Sequence, residues 1–265
     1  MEDRSMLELG SLRSMKHSWE PIKPSPFSLT YDSEILFSKI LALRELELSV
    51  GDFVNSASKR DLPVDSASLE LINSNIKDEI VHEKALSLLY EAMPEDCRIP
   101  YSEIEQFRKE AERIASIEHP LAVARMLEVG VFFVLLPIMR FLGSTGMKVI
   151  ANDISRDERV HVMTNTRILK ELNIKPSAEL DRLRREIVWW FVQETDRLKL
   201  PESLSQYGSS KFWLKQSDNL YYYNRTEGLR DTKKTCVLAF FEIDRRNQPI
   251  YSGLCFLGIE RKKKD

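Results

Sequence analysis

Apolar residues recur along most of this chain at the three-and-four spacing of a helix with one buried face, and the pattern breaks where proline, glycine or polar clusters intervene. Residues 1–30 carry no such stripe and hold Pro21, Pro24 and Pro26, so they predict an irregular segment. Thr30 or Asp32 is placed to cap a first long helix, Ser33 to about Ser56, whose stripe is Leu36, Ile40, Leu43, Val50 and Val54. Glu47 falls in the gap of that stripe. A second helix is expected from about Ser68 to Ala92, with Ile72, Ile76, Glu79, His82 and Leu86 on one face. A short amphipathic helix, Ser102–Ile117, comes before Pro120, which opens the most apolar helix, Leu121 to Leu142, with Glu128 inside it. Gly143 and Gly146 mark a turn, and Lys148–Leu172 and Ser177–Leu198 predict two more helices. Only near the end do β-prone runs appear, Cys236–Ile243 and Ile250–Ile259, separated by D-R-R-N-Q-P and read as a β-hairpin.

Composition narrows the class. Hydrophobic residues make up 43% and charged residues 30% of 265, the balance of a globular protein able to bury a large core. Nine glycines are few for this length and agree with a mostly helical chain. A net charge of −2 supplies no basic face for nucleic acid. Cys97, Cys236 and Cys255 are odd in number and share no metal-type spacing, so they predict free thiols in a reducing compartment. The first residues are acidic where a signal peptide is basic, and the longest apolar run, Val129 to Met139, is too short to span a membrane. The expectation is a cytoplasmic protein with neither a membrane nor a nucleic-acid partner.

The chemistry is carried by two copies of Glu-x-x-His in a chain with four histidines: Glu79-Ile80-Val81-His82 and Glu158-Arg159-Val160-His161. On a helix, residues three apart project from one face, so each copy offers a carboxylate and an imidazole to one point. Two such helices and a glutamate from each of two others make the six-ligand di-iron or di-manganese site of a four-helix carboxylate bundle. Glu128, set among Leu127, Val131 and Phe132, is costly to bury unless it faces a metal or another cation. In that reading Glu79 and Glu158 bridge or chelate, and His82 and His161 each complete one ion. His17 and His119, next to prolines or in a proline-rich segment, predict surface or capping roles instead. The fold class is therefore all-α: a ferritin-like helical bundle with additional helices over residues 31–232, preceded by the irregular segment 1–30 and followed by a tail, 233–265, that holds the hairpin.

Two stretches, L-E-V-G-V-F-F-V-L-L-P-I-M-R-F-L and I-S-R-D-E-R-V-H-V-M-T-N-T, resemble the small, radical-generating subunit of class I ribonucleotide reductase. The resemblance spans most of residues 19–251, ends near Asn247–Ile250, and is specific around Glu79, Glu128 and Glu158. It implies metal ligands Glu79, His82, Glu128, Glu158 and His161 for a pair of transition-metal ions (Fe/Fe, Mn/Fe or Mn/Mn). It also implies that Asp157 orients His82 and links it to a tryptophan, for which Trp19 is the counterpart; the alternative role for Trp19 is a hydrophobic anchor. Phe132, Leu136 and Ile154 would wall the site. The family's first-helix ligand falls, by spacing, on Leu48; Glu47 needs the smallest shift, with Glu45 and Asp52 as alternatives. Where the family stores a tyrosyl radical, four residues after the first histidine, this chain has Leu86, and Tyr90 lies one turn further on. That likens it to the group lacking the tyrosine. The family's long tail, which docks on the large subunit, is here a short basic one, with Tyr251 the only tyrosine beyond Tyr223. The implied partners are a reductase large subunit and a second copy in a homodimer. A stand-alone di-metal oxidase or oxygenase acting on a small organic substrate is the alternative, and a metal-storing bundle a third.

Overall fold

In the computed structural model several helix starts are built as capped ends, but the first helix has Ser33 at its N-cap and no side-chain cap, where the sequence predicts Thr30 or Asp32. The structure describes residues 6–60, 62–99 and 102–223; the expected hairpin, Cys236, Cys255, Tyr251 and Asn247–Ile250 lie outside them. Nine helices are present among the described residues: α1 (Glu34–Ala42), α2 (Glu45–Ser58), α3 (Ser66–Ala92), α4 (Ser102–Ile117), α5 (Pro120–Leu127), α6 (Phe133–Leu142), α7 (Thr145–Glu171), α8 (Ala178–Val192) and α9 (Ser210–Tyr223). Asp65 caps α3 by accepting from the Ser68 amide at 2.8 Å, and Ser177 caps α8 by accepting from Leu180 at 3.1 Å. His119 does the same for α5, accepting from Leu121 at 3.3 Å just before Pro120 at the first helical position. There is no β-strand among the described residues, only one isolated parallel bridge between Leu7 and Val64.

The structure departs from the expected pattern in three places. The first long helix is two, because Leu43 and Arg44 close tighter turns: the Arg44 amide donates to Leu41 and the Glu47 amide to Arg44, three residues back rather than four. The apolar helix is interrupted by a π turn, Glu128–Phe132, between α5 and α6. Helix α9 answers no stripe expected from the sequence; Trp213 and Tyr221 anchor it in the core.

The arrangement is an all-α, multi-helix bundle of ferritin-like type. Helix α2 packs on α3 and α5, α3 on α7, and α7 on α5 and α6, so four rods, with α5 and α6 joined through the π turn as one, ring a common centre. Helices α1, α4, α8 and α9 cover the outside, and the N-terminal segment, with Leu9 and Leu12 buried, lies along α3 and α7. The run Val129–Met139 belongs to a longer stretch, Pro120–Leu142, the one among the described residues long and apolar enough to cross a membrane, and 94% of its most apolar 18-residue window is buried within the bundle. Each of its leucines and valines contributes about 1.5–3 kcal/mol by leaving water, so its apolarity is accounted for by this central position.

Candidate metal centre

Four helices each send acidic or imidazole groups into the ring's centre. Helix α2 supplies Glu47, α3 supplies Glu79 and His82, the π turn supplies Glu128, and α7 supplies Glu158 and His161; none is more than 1% exposed. They form two clusters that share a member. Glu47, Glu79, His82 and Glu158 make one and Glu79, Glu128 and His161 the other, with ligand atoms in each lying within 4.8 Å of one another. The Nδ1 of His82 is 3.5 Å from Glu79 and 3.3 Å from Glu158. The Nδ1 of His161 is 2.8 Å from Glu79, 3.8 Å from Glu158 and 4.0 Å from Glu128. Glu79 and Glu158, the glutamates of the two repeats, thus lie between the imidazoles, with Glu47 on the His82 side and Glu128 on the His161 side. The two imidazole rings stack at 5.6 Å between centroids.

The other nitrogen of each histidine is occupied. His82 Nε2 lies 3.4 Å from Asp157 Oδ2, which also accepts from the Trp19 indole at 2.7 Å. His161 Nε2 lies 2.9 Å from Asp78 Oδ2. An aspartate on Nε2 fixes its proton there and leaves the Nδ1 lone pair aimed at the centre, the tautomer a metal requires. Each aspartate precedes the glutamate of its own repeat but holds the histidine of the other. The unit is therefore Asp-Glu-x-x-His, crossed between α3 and α7. Asp78 was missed in the sequence, although the shared aspartate of the two repeats was a visible signal. Asn165, one turn after His161, was missed too: its amide donates to both oxygens of Glu128, at 3.0 and 2.9 Å.

A cation is what this donor set lacks. Both carboxylate oxygens of Glu47, Glu79 and Glu158, and Nδ1 of both histidines, are buried and face only one another. The ion pairs that the four glutamates make among the described residues are with the two histidines alone. Four ionised carboxylates carry four negative charges, which two divalent ions cancel. Hard carboxylate oxygens with one imidazole on either side suit iron or manganese. The two clusters are thus capable of coordinating two transition-metal ions.

Without ions, protons must compensate. Burial, then the neighbouring charge of Glu79, pushes the Glu47 carboxyl well above its ordinary value, and burial with Glu158 does the same to Glu128. Burial and Glu79 also raise Glu158. Glu79 goes the other way: against the cost of burial, the charge and hydrogen bond of His161 hold it down to about 2. Both imidazoles stay protonated well above their ordinary value despite burial, His82 through Asp157 and the two glutamates beside it, His161 through Glu79 and Asp78.

Of the alternatives for the first helix, Glu45 is partly exposed and paired with Arg44 at 3.1 Å, while Asp52 is exposed. Leu48 is 43% exposed. Leu86, Phe132, Leu136 and Ile154 are all buried, and no more than 1% exposed. Tyr90 turns away: its hydroxyl donates to the Ile99 carbonyl at 2.7 Å, and its ring faces the guanidinium of Arg44 at 4.1 Å. His17 is exposed on the surface. Comparison with family models, with curated proteins and with solved structures finds no match to this chain. The site itself defines the class: a buried acid-and-histidine centre for two metals in an all-α bundle, of the oxidoreductase type.

Proposed function

We propose that this chain is the small subunit of a class I ribonucleotide reductase of the kind that lacks the radical tyrosine. In this reading Glu47, Glu79, His82, Glu128, Glu158 and His161 hold the metal pair, and the chain acts as a homodimer beside a large subunit that reduces ribonucleotides. When bound, such a pair supplies one-electron oxidising power drawn from oxygen or a reduced oxygen species. The observation that carries the reading is the continuous path from the centre to the N-terminal segment: His82 to Asp157, then Asp157 to the Trp19 indole, whose ring stacks on His82 at 6.2 Å. Asp157 accepts from both rings and holds their protons on Nε2 and Nε1. Leu86 and Phe132, both fully buried, keep water from the side where a tyrosine would otherwise stand.

That apolar filling also weighs against the second reading, a self-contained oxidase, which needs room for an organic substrate beside the metals. The test uses the full chain purified from unsupplemented cells. Metal analysis is expected to find two iron or manganese ions per chain, and electron paramagnetic resonance after air exposure a metal-centred signal without an organic radical. A reductase large subunit with ribonucleotide is then expected to discharge that signal. Trp19→Phe should block the discharge while leaving the metal content unchanged. Discharge by small organic substrates without any large subunit would favour the oxidase.

A further inference from the structure

The two crossed repeats are near copies at the centre, but their outer partners differ in charge, and both partners come from one short stretch of chain. Trp19 donates its indole N–H to Asp157, a neutral partner at 2.7 Å. Lys16, three residues earlier, forms an ion pair with Asp78 and donates to Ser74 Oγ at 2.7 Å and Asn75 Oδ1 at 3.1 Å. The Lys16 side chain is 11% exposed, so little water screens its charge. Asp157 is 1% exposed and its Oδ1 has no hydrogen-bond partner, so its negative charge stays whole. Asp78 shares its charge with an ammonium group.

We propose that Lys16 is a positioning residue that makes the two metal positions unequal, by neutralising Asp78 so that His161 donates more weakly than His82. The inference rests on the two-metal reading of the centre. An imidazole whose N–H meets a free carboxylate is a richer donor through its other nitrogen than one whose carboxylate is already paired. Hydrogen-bond length acts in the opposite direction, since Asp78 is 2.9 Å from His161 and Asp157 is 3.4 Å from His82. At a common dielectric that difference changes a charge interaction by only about 15%. A paired ammonium removes far more of the carboxylate's field, so the charge difference decides. The ion beside His82 therefore binds first and more tightly, and the ion beside His161 second.

The experiment is an anaerobic titration of the full chain with Mn(II), following bound and free ion by electron paramagnetic resonance and heat by calorimetry. Two ions are expected, with stepwise constants separated by about tenfold or more. Lys16→Met is expected to tighten the second step alone and narrow the gap, whereas Lys16→Arg retains the charge and the wild-type gap. In an Asp78→Asn background, Lys16→Met should have no further effect, because the lysine acts through that carboxylate. Lys16→Gln, which can still hydrogen-bond Ser74 and Asn75, serves as the same test should the methionine variant not fold. If two ions bind and the charge-removing variants shift both steps equally or neither, the inference is overturned while the metal reading stands. If wild-type protein takes up fewer than two ions, both fall.

Discussion

Two buried charged regions lie near the same π turn, and they solve the problem of buried charge in opposite ways. At the centre, Glu47, Glu79 and Glu158 face inward with the two imidazoles as their only counter-charges, and Glu128 adds a fourth carboxylate held by the neutral amide of Asn165. By Gly130, two residues along the turn, the buried guanidinium of Arg184 meets Asp181 Oδ1 at 2.6 Å, Asp218 Oδ1 at 2.6 Å and the hydroxyl of Ser217. Ser217 in turn donates to the Gly130 carbonyl at 2.7 Å, and Tyr222 donates to Asp181. The close approach requires glycine: a Cβ on residue 130 would lie 2.4 Å from Arg184 Cδ. The Arg184 region carries its own counter-charges and is structural. The centre has an excess of one sign and is built for cations from outside.

Removing charge should therefore have opposite consequences in the two regions. The largest effect is expected from Arg184→Met, which removes the buried guanidinium, leaves Asp181 and Asp218 to Arg185 and Tyr222, and should cost about 1–3 kcal/mol of stability. Denaturant midpoints would show that loss equally with and without Mn(II); a midpoint close to wild type would erase the contrast. Glu47→Gln should do the reverse in metal-free protein. It mimics the protonated acid that burial and Glu79 already favour and should stabilise by about 1 kcal/mol, while lowering the metal content from two ions. A thermal melt paired with metal analysis reads both effects, and a destabilised metal-free variant would count against an excess of acid.

The smallest expected effect is on pH dependence, and its sign separates the regions. Groups whose folded pKa is raised contribute stability below their unfolded value and lose it as pH rises through the folded one. For Glu47, Glu128 and Glu158 that window opens above 4.5, and for His82 and His161 above 6.5. Metal-free protein should melt at lower temperature as the pH is raised past neutrality, and metal should restore the loss by an amount that grows with pH. Each imidazole gives up a proton to do so, so binding heats should vary with the ionisation enthalpy of the buffer. Asp181 runs the other way. Against burial, Tyr222 and Arg184 hold it low, so its contribution is present above 3.8 and is lost as pH falls through its lower folded value. A metal-free melting temperature that rises steadily from pH 6 to 9 would contradict the proton-compensated centre.

Much of this organisation was legible beforehand. The stripe with Glu47 in its gap, the repeated Glu-x-x-His and the acid in the apolar helix are local patterns, because helical periodicity alone sets which side chains share a face. The split at Leu43 and Arg44, the π turn at Glu128 and helix α9 were not. Propensity and periodicity carry no record of a turn tightened by three-residue hydrogen bonds or widened where Ser217 and Arg184 crowd a glycine. Asp78 and Asn165 escaped for a related reason: their partners, His161 and Glu128, are 83 and 37 residues away.

The sequence by itself determined which residues lie on the inward face of each rod and that their chemistry is that of a carboxylate-and-imidazole metal site. Only the tertiary structure decided that the repeats are crossed, each aspartate serving the other helix's histidine, and that a lysine stands behind one and a tryptophan behind the other. A face follows from the 100° step of a single helix, which every local stretch of chain contains. Partnership across helices depends on how the rods are laid against each other, and no local stretch contains that.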